Sequence, residues 1–348
     1  MPPQPCLNIT STPTPDPHFT HVHGKFYLTF TANDRIPLWE APNLLDFWEK
    51  PKIGPVWRPP PNTPHSSRLW APELHALQGR WYIYYAAADP AQGNRSHRMY
   101  VLGGPPASED PHDASRWEFL GPIQGMDQRQ WAIDGTVFEL DGELYFVYSG
   151  WPMRPQREWN DFREDLQLLY ILRLSDPTTA ASEPVEICRP HQPWEHLGHI
   201  GICEGPQWLE APDGSWRGLV YSCAASWTKH YKMATLEYLG GNPLDPASWK
   251  KSTEPLLQDS DDGQGPFGPG HGCFLNFGGE TVALFHATDS DTDGNQGRKC
   301  RLQRVEWSDQ GPHMGEVLGS STRDIDMFSK LLVHYDCIHA LKVLLTIA

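Results

Sequence analysis

Five polar side chains recur at one place in five related segments of this chain: Asp16 in PTPDPHF, Glu73 in LWAPELH, Asp134 in WAIDGTVF, Glu204 in CEGPQW and His271 in FGPGHGCF. Each stands six to ten residues ahead of a turn glycine, in order Gly24, Gly79, Gly142, Gly214 and Gly279. Carboxylates brought face to face, with no Cys or His cluster spaced for a metal, point to general acid and base work, of which glycosidic bond cleavage is the leading case. Such a pair needs one carboxyl protonated and one ionised. A third acid nearby raises the pKa of the proton donor by like-charge repulsion and holds it in place. Asp16, Asp134 and Glu204 supply that set. Any one of the five polar residues alone reads as a strand cap; five in register read as a site.

The scaffold for these side chains is legible in the residues after each glycine. The segments HGKFYLTFTA, QGRWYIYYAA, DGELYFVYSG, DGSWRGLVYSCA and GGETVALFHA repeat one pattern, a turn glycine and then an aromatic-rich strand ending in small residues. Their spacing of 55 to 72 residues suits four-strand blades with long loops. Five repeats predict an all-β fold, a five-bladed β-propeller over residues 1–320, with the strand before each turn lining the central axis. The five polar positions then converge on one acidic pocket. Pro- and Trp-rich stretches such as WRPPPNTPHSSRLW and PHQPWEHLGHIG predict rigid connections that shape its mouth. The tail 321–348 lacks Gly and Pro and has helix-like apolar spacing. It reads either as an appended helix or as a segment outside the fold.

Composition narrows the partners. A formal net charge of -15, with no run of Lys or Arg, gives phosphate backbones and anionic membranes nothing to grip, so neither nucleic acid nor a membrane is an expected partner. Thirty-four Pro, 30 Gly and 15 Trp with only 20% charged residues describe tight turns and abundant aromatic surface, which suits a carbohydrate-binding β protein. Seven Cys without a CxxC spacing indicate buried thiols rather than a zinc site or a disulfide framework. No basic, then apolar, leader opens the sequence and no 18-residue apolar run occurs.

These motifs together resemble glycoside hydrolase family 43 over roughly residues 10–318, and the resemblance implies a five-bladed propeller with an inverting mechanism. Asp16-Pro17 resembles the segment bearing the general base, AIDGTVF the segment whose aspartate, here Asp134, orients the acid and tunes its pKa, and EGPQ the segment whose glutamate, here Glu204, donates the proton. WAPELH resembles the second-blade motif that shapes the pocket, which makes Trp70 a stacking candidate and places Glu73 beside it; Trp131 of WAIDGTVF joins the substrate-binding candidates. GRKCRLQ resembles the fifth-blade segment whose Arg reaches the sugar, selecting Arg298 ahead of Arg301. GPGH resembles the motif whose His helps hold a calcium or similar ion near the axis, so His271 is a candidate metal ligand, with no cofactor required for the chemistry itself. The stretch PHFTHVHG departs from the family pattern in its histidines.

LWAPELH, HRMYVL, WAIDGTVF and GPGH are most similar to exo-acting α-L-arabinofuranosidases, which implies an arabinose- or xylose-containing oligo- or polysaccharide as substrate and an extracellular setting. A β-xylosidase on the same scaffold and a sugar-binding propeller without turnover are the competing readings. Possession of all three catalytic-type acids argues against the second.

Overall fold

The computed structural model describes residues 4–49, 51–152, 166–260, 263–277 and 279–318. The segment 321–348 lies outside the described residues, and among these the chain forms strands and short 3-10 turns with no α-helix. Five sheets follow one another along the sequence. Blade I consists of His18–Val22, Lys25–Thr29, Ile36–Ala41 and Lys52–Trp57; blade II of Ser67–Leu77, Arg80–Ala88, Arg98–Pro106 and Glu118–Pro122. Blade III is built on Ala132–Leu140, Glu143–Gly150 and Leu168–Asp176, blade IV on Cys203–Glu210, Arg217–Cys223 and Lys232–Tyr238, and blade V on Phe267–Phe277, Glu280–Thr288 and Lys299–Ser308. The expected five-bladed propeller is what the chain forms.

Strand periodicity explains why the sheets stack around a ring. Along Arg80–Ala88, Trp81, Ile83, Tyr85 and Ala87 pack toward blade I, whereas Tyr84 and Ala86 pack toward blade III. Leu144, Phe146 and Tyr148 face back to blade II, and Tyr145 and Val147 face forward to blade IV. Alternate residues of one strand thus fill two different interfaces. The described residues form five such apolar clusters, one at each joint between neighbouring blades. Both faces of every blade are buried, which is why these strands read as unbroken apolar runs.

Closure of the ring uses the N-terminal segment. Leu7–Asn8 pairs antiparallel with the third strand of blade V. Gln4–Pro5 pairs with Gly315–Leu318, which in turn pairs with Leu257–Gln258 of blade IV. Both ends of the propeller therefore stitch one joint, so opening the ring breaks strand pairs as well as apolar packing.

The five predicted glycines turn the hairpins between first and second strands. In blades I to III the turns are His23-Gly24, Gln78-Gly79 and Asp141-Gly142, with both residues at positive φ, the conformation whose twist matches the flanking strands. At the opposite end of each first strand sits a second repeated feature. Two residues oppose one across the ladder: Ala71-Pro72 face Tyr85, Asp134-Gly135 face Tyr148, Gly205-Pro206 face Tyr221 and His271-Gly272 face Phe285. In blade I, Asp16-Pro17 face Phe30 in the same way, between the Pro15–Thr31 hydrogen bond and the His18–Thr29 pair. The first bulge residue always has positive φ, from 42° at Ala71 to 55° at Asp134 and Gly205. A bulge bends the strand and re-aims a side chain, and here it does so at the axis five times.

Candidate active site

The bulges decide what reaches the axis. Asp16, Asp134 and His271 occupy the first bulge position itself, whereas Glu204 stands one residue before it and Glu73 two residues after. The polar residues are therefore not five copies of one position. Asp and His tolerate the left-handed backbone better than most side chains; where the acid is displaced, Ala71 and Gly205 take the strained position instead.

Asp16, Asp134, Glu204, His271 and Arg298 come together. Arg298 Nη1 donates to Asp16 Oδ1 at 3.1 Å, and His271 Nδ1 lies 3.5 Å from the same oxygen and 3.8 Å from Asp134 Oδ2. The Gly205 N–H donates to Asp134 Oδ2 at 3.1 Å, tying blade III to blade IV. The His271 N–H donates to Ser222 Oγ at 2.7 Å, tying blade V to blade IV. Cross-blade bonds of this kind fix side chains that belong to different sheets.

The three acids sit in different electrostatic surroundings. Burial would push Asp16 up, but Arg298, then His271 and His286, and a hydrogen bond from Thr31 outweigh it and hold this carboxyl well below the usual range. Burial also holds both histidines below their ordinary pKa, so Arg298 is the cation that persists at neutral pH. The Asp16 N–H donates to His286 Nδ1 at 3.0 Å, and Arg298 Nη1 lies 3.4 Å from Nε2 of the same ring. Glu204 is pushed up to about 7 by burial and by the nearby Asp16 charge, against an opposing contribution from the Tyr231 hydroxyl and Arg298. The Tyr231 hydroxyl faces Glu204 without forming a well-shaped hydrogen bond. Asp134 is raised well above its ordinary value by burial, then by Glu204 and Asp16, with the Gly205 N–H opposing. Near neutral pH the pocket holds one ionised carboxylate beside two carboxyls that resist ionisation.

The remaining candidates lie around this centre. Glu73 is 2% exposed, and its oxygens are engaged by His75 Nε2 at 2.9 Å and by the Gln207 amide, with His18 Nε2 at 3.7 Å. It is a buried bridge among blades I, II and IV. Trp70 stacks on His97 at 4.0 Å and donates to Asn33 Oδ1, keeping part of its ring exposed. Trp131 is 3% exposed, stacked against Trp151 at 4.7 Å and bonded to the Asn94 carbonyl, so it backs the pocket wall from within the core.

A model of the glycosyl hydrolases family 43 matches residues 8–312. The chain belongs to that family. An extracellular exo-alpha-(1->5)-L-arabinofuranosidase of Streptomyces avermitilis is 29% identical over 316 residues, covering 86% of this chain and 61% of that protein. The protein of the same description from Streptomyces chartreusis is 30% identical over 292 residues, 82% of this chain and 83% of its own. This chain thus spans less than two thirds of the first relative's length and most of the second's. The crystal structure of an alpha-L-arabinofuranosidase from Lactobacillus brevis superposes with a TM-score of 0.77 at 27% identity, covering 89% of this chain and 96% of that one.

Family 43 resemblance also implied an ion at His271. Calcium takes six to eight oxygen ligands, whereas His271 offers a nitrogen flanked by two carboxylates already engaged by Arg298 and the Gly205 N–H. Water would have to supply most of the oxygen ligands of a calcium ion held there. Among the described residues near the axis, the donors that converge within 4.8 Å of one another are those of His18, Glu73 and His75 instead.

Sequence reasoning missed His286, Tyr231, Ser222 and Gln207. His286 carried a visible signal, a lone imidazole in the apolar run ALFHA. Tyr231 sits in a loop outside the repeat, so only the fold brings it to Glu204.

Proposed function

We propose that this family 43 chain is an inverting, exo-acting α-L-arabinofuranosidase that releases arabinofuranose from arabinan or arabino-oligosaccharides outside the cell. One observation carries the reading: a single buried pocket holds Asp16 far below the carboxylate range and Glu204 at about 7. A general base must be ionised and a general acid protonated at the same pH, and this split supplies both. Asp16 takes the proton of the attacking water. Glu204 gives its proton to the leaving glycosidic oxygen. Asp134, fixed by the Gly205 N–H, orients the acid, while burial and the Asp16 charge keep the Glu204 proton on. Arg298 keeps Asp16 ionised and stands where a sugar hydroxyl would meet it. The substrate is inferred from the names of the Streptomyces relatives, and so is the extracellular setting.

The test is hydrolysis of paired aryl α-L-arabinofuranoside and β-D-xyloside, with NMR of the first-formed anomer. Preference for the arabinoside with inverted product is expected. Preference for the xyloside would make the chain a β-xylosidase, and hydrolysis of neither by folded protein would make it a sugar-binding propeller.

A further inference from the structure

A general acid protonates the leaving oxygen, so the departing part of the substrate must lie on the side of the pocket that carries the acid. Glu204 belongs to the first strand of blade IV, and blade IV meets the pocket mouth through the segment before Cys203 and the loop between Cys223 and Lys232. These two segments pack together, with the Ala225 N–H donating to the Leu197 carbonyl at 3.0 Å. Five large apolar side chains are exposed among the described residues, and three of them lie here: Leu197 at 37%, Ile200 at 40% and Trp227 at 45%. The other two, Ile53 and Leu239, lie away from the mouth, on an outer strand of blade I and past the far end of the third strand of blade IV.

Trp227 does not hang free in solvent. His199 stands perpendicular to the indole at 5.7 Å and limits its tilt. Trp227 lines a recess together with Thr228, Lys229, Phe267, Asp291 and Arg298. Arg298 is also bonded to Asp16, and Tyr231, four residues beyond Trp227, faces Glu204. The recess and the acid cluster therefore share Arg298 as a common wall residue. An exposed tryptophan in a recess whose lining includes Thr228, Lys229 and Asp291 has the makings of a pentose site: a stacking face for C–H groups and hydrogen-bonding partners for hydroxyls.

We propose that Trp227, with Leu197 and Ile200 beside it, is the platform for the sugar on the leaving side of the scissile bond, in a neutral α-linked arabinofuranosyl chain. The proposal rests on the arabinofuranosidase reading and predicts that the enzyme senses what lies beyond the cleaved residue. The experiment compares wild type with Trp227→Ala and Trp227→Phe on methyl α-L-arabinofuranoside and on 1,5-linked arabinotriose. In Trp227→Ala, kcat/KM for the triose should fall by about tenfold more than for the methyl glycoside, mainly through KM, and Trp227→Phe should recover most of it. Equal losses on both substrates, or none on the triose, overturn the platform. Calorimetric binding of arabinotriose to Glu204→Gln, with and without Trp227→Ala, separates this from catalysis. A drop in affinity of about tenfold supports the platform, unchanged affinity overturns it, and a wild type inactive on both glycosides counts against the arabinofuranosidase reading instead.

Discussion

The two sides of the pocket are built to opposite electrostatic rules. On the blade V and blade I side, the largely buried Asp16 has a guanidinium at 3.1 Å and two imidazoles within 3.5 Å. On the blade III and blade IV side, Asp134 and Glu204 have each other, one backbone N–H and a phenol. Burial is common to both and pushes every carboxyl upward. What differs is whether a guanidinium is bonded to the carboxylate. A symmetric fold thereby yields an ionised acid and a protonated acid in one pocket, without different carboxylate chemistry on the two sides.

Removing a member of the contrast should have the largest effect. Glu204→Gln is expected to lower turnover of unactivated glycosides by about 10² to 10⁴, with a much smaller loss on aryl glycosides whose leaving group needs no proton. Equal losses on both would show that Glu204 is not the acid. Asp16→Asn should cost a similar factor on both kinds of substrate, because water must be activated whatever departs. The kcat/KM profile of wild type should fall as pH rises through about 7, where Glu204 loses its proton, and its acid limb should lie far lower.

The same contrast should appear in stability. Glu204 is raised in the folded state, so the native protein binds more protons than the unfolded chain between the ordinary glutamate pKa and about 7. Stability must then fall as pH rises through that window. Asp16 works the other way: its contribution is present above the unfolded aspartate pKa and is lost as pH falls toward its depressed folded value. Thermal melts from pH 5 to 8 should show Glu204→Gln losing less stability than wild type over that range; parallel curves would contradict the raised pKa.

Arg298→Met makes the two sides alike. Without the guanidinium, burial goes unopposed at Asp16 and its pKa rises, so the acid limb of the rate profile should move up into the measurable range while kcat/KM falls by about tenfold or more. An unmoved acid limb would mean that the histidines, not Arg298, hold Asp16 ionised.

How much of this was legible depends on what the repeat encodes. The hairpin glycines and alternating strands are local, periodic features, so five blades and the three acids could be read directly. The register could not: Glu73 and Glu204 fall two residues after and one before the bulge position, and that offset is set by ladder pairing. Glu73 shows the consequence, since two residues beyond the bulge position it bridges His75 and Gln207. The unusual histidines of PHFTHVHG find part of their explanation there, with His18 packed against His75 beside Glu73. Closure by Leu7–Asn8 was invisible because a two-residue strand has no periodicity to detect.

Tyr231→Phe tests the smallest part of the contrast, the phenol that faces Glu204. The hydroxyl lowers the Glu204 pKa by stabilising its carboxylate, although burial still dominates. Its removal deletes one oxygen without opening a large cavity, since the ring stays stacked on His286 at 5.6 Å. Glu204 should then hold its proton more tightly, and the alkaline limb of kcat/KM should shift upward by a few tenths of a pH unit to about one unit, with kcat at pH 5 little changed. A shift of that limb downward would mean that the hydroxyl donates elsewhere and stabilises the protonated acid. The cation-poor side would then owe its raised pKa to a specific hydrogen bond rather than to burial alone.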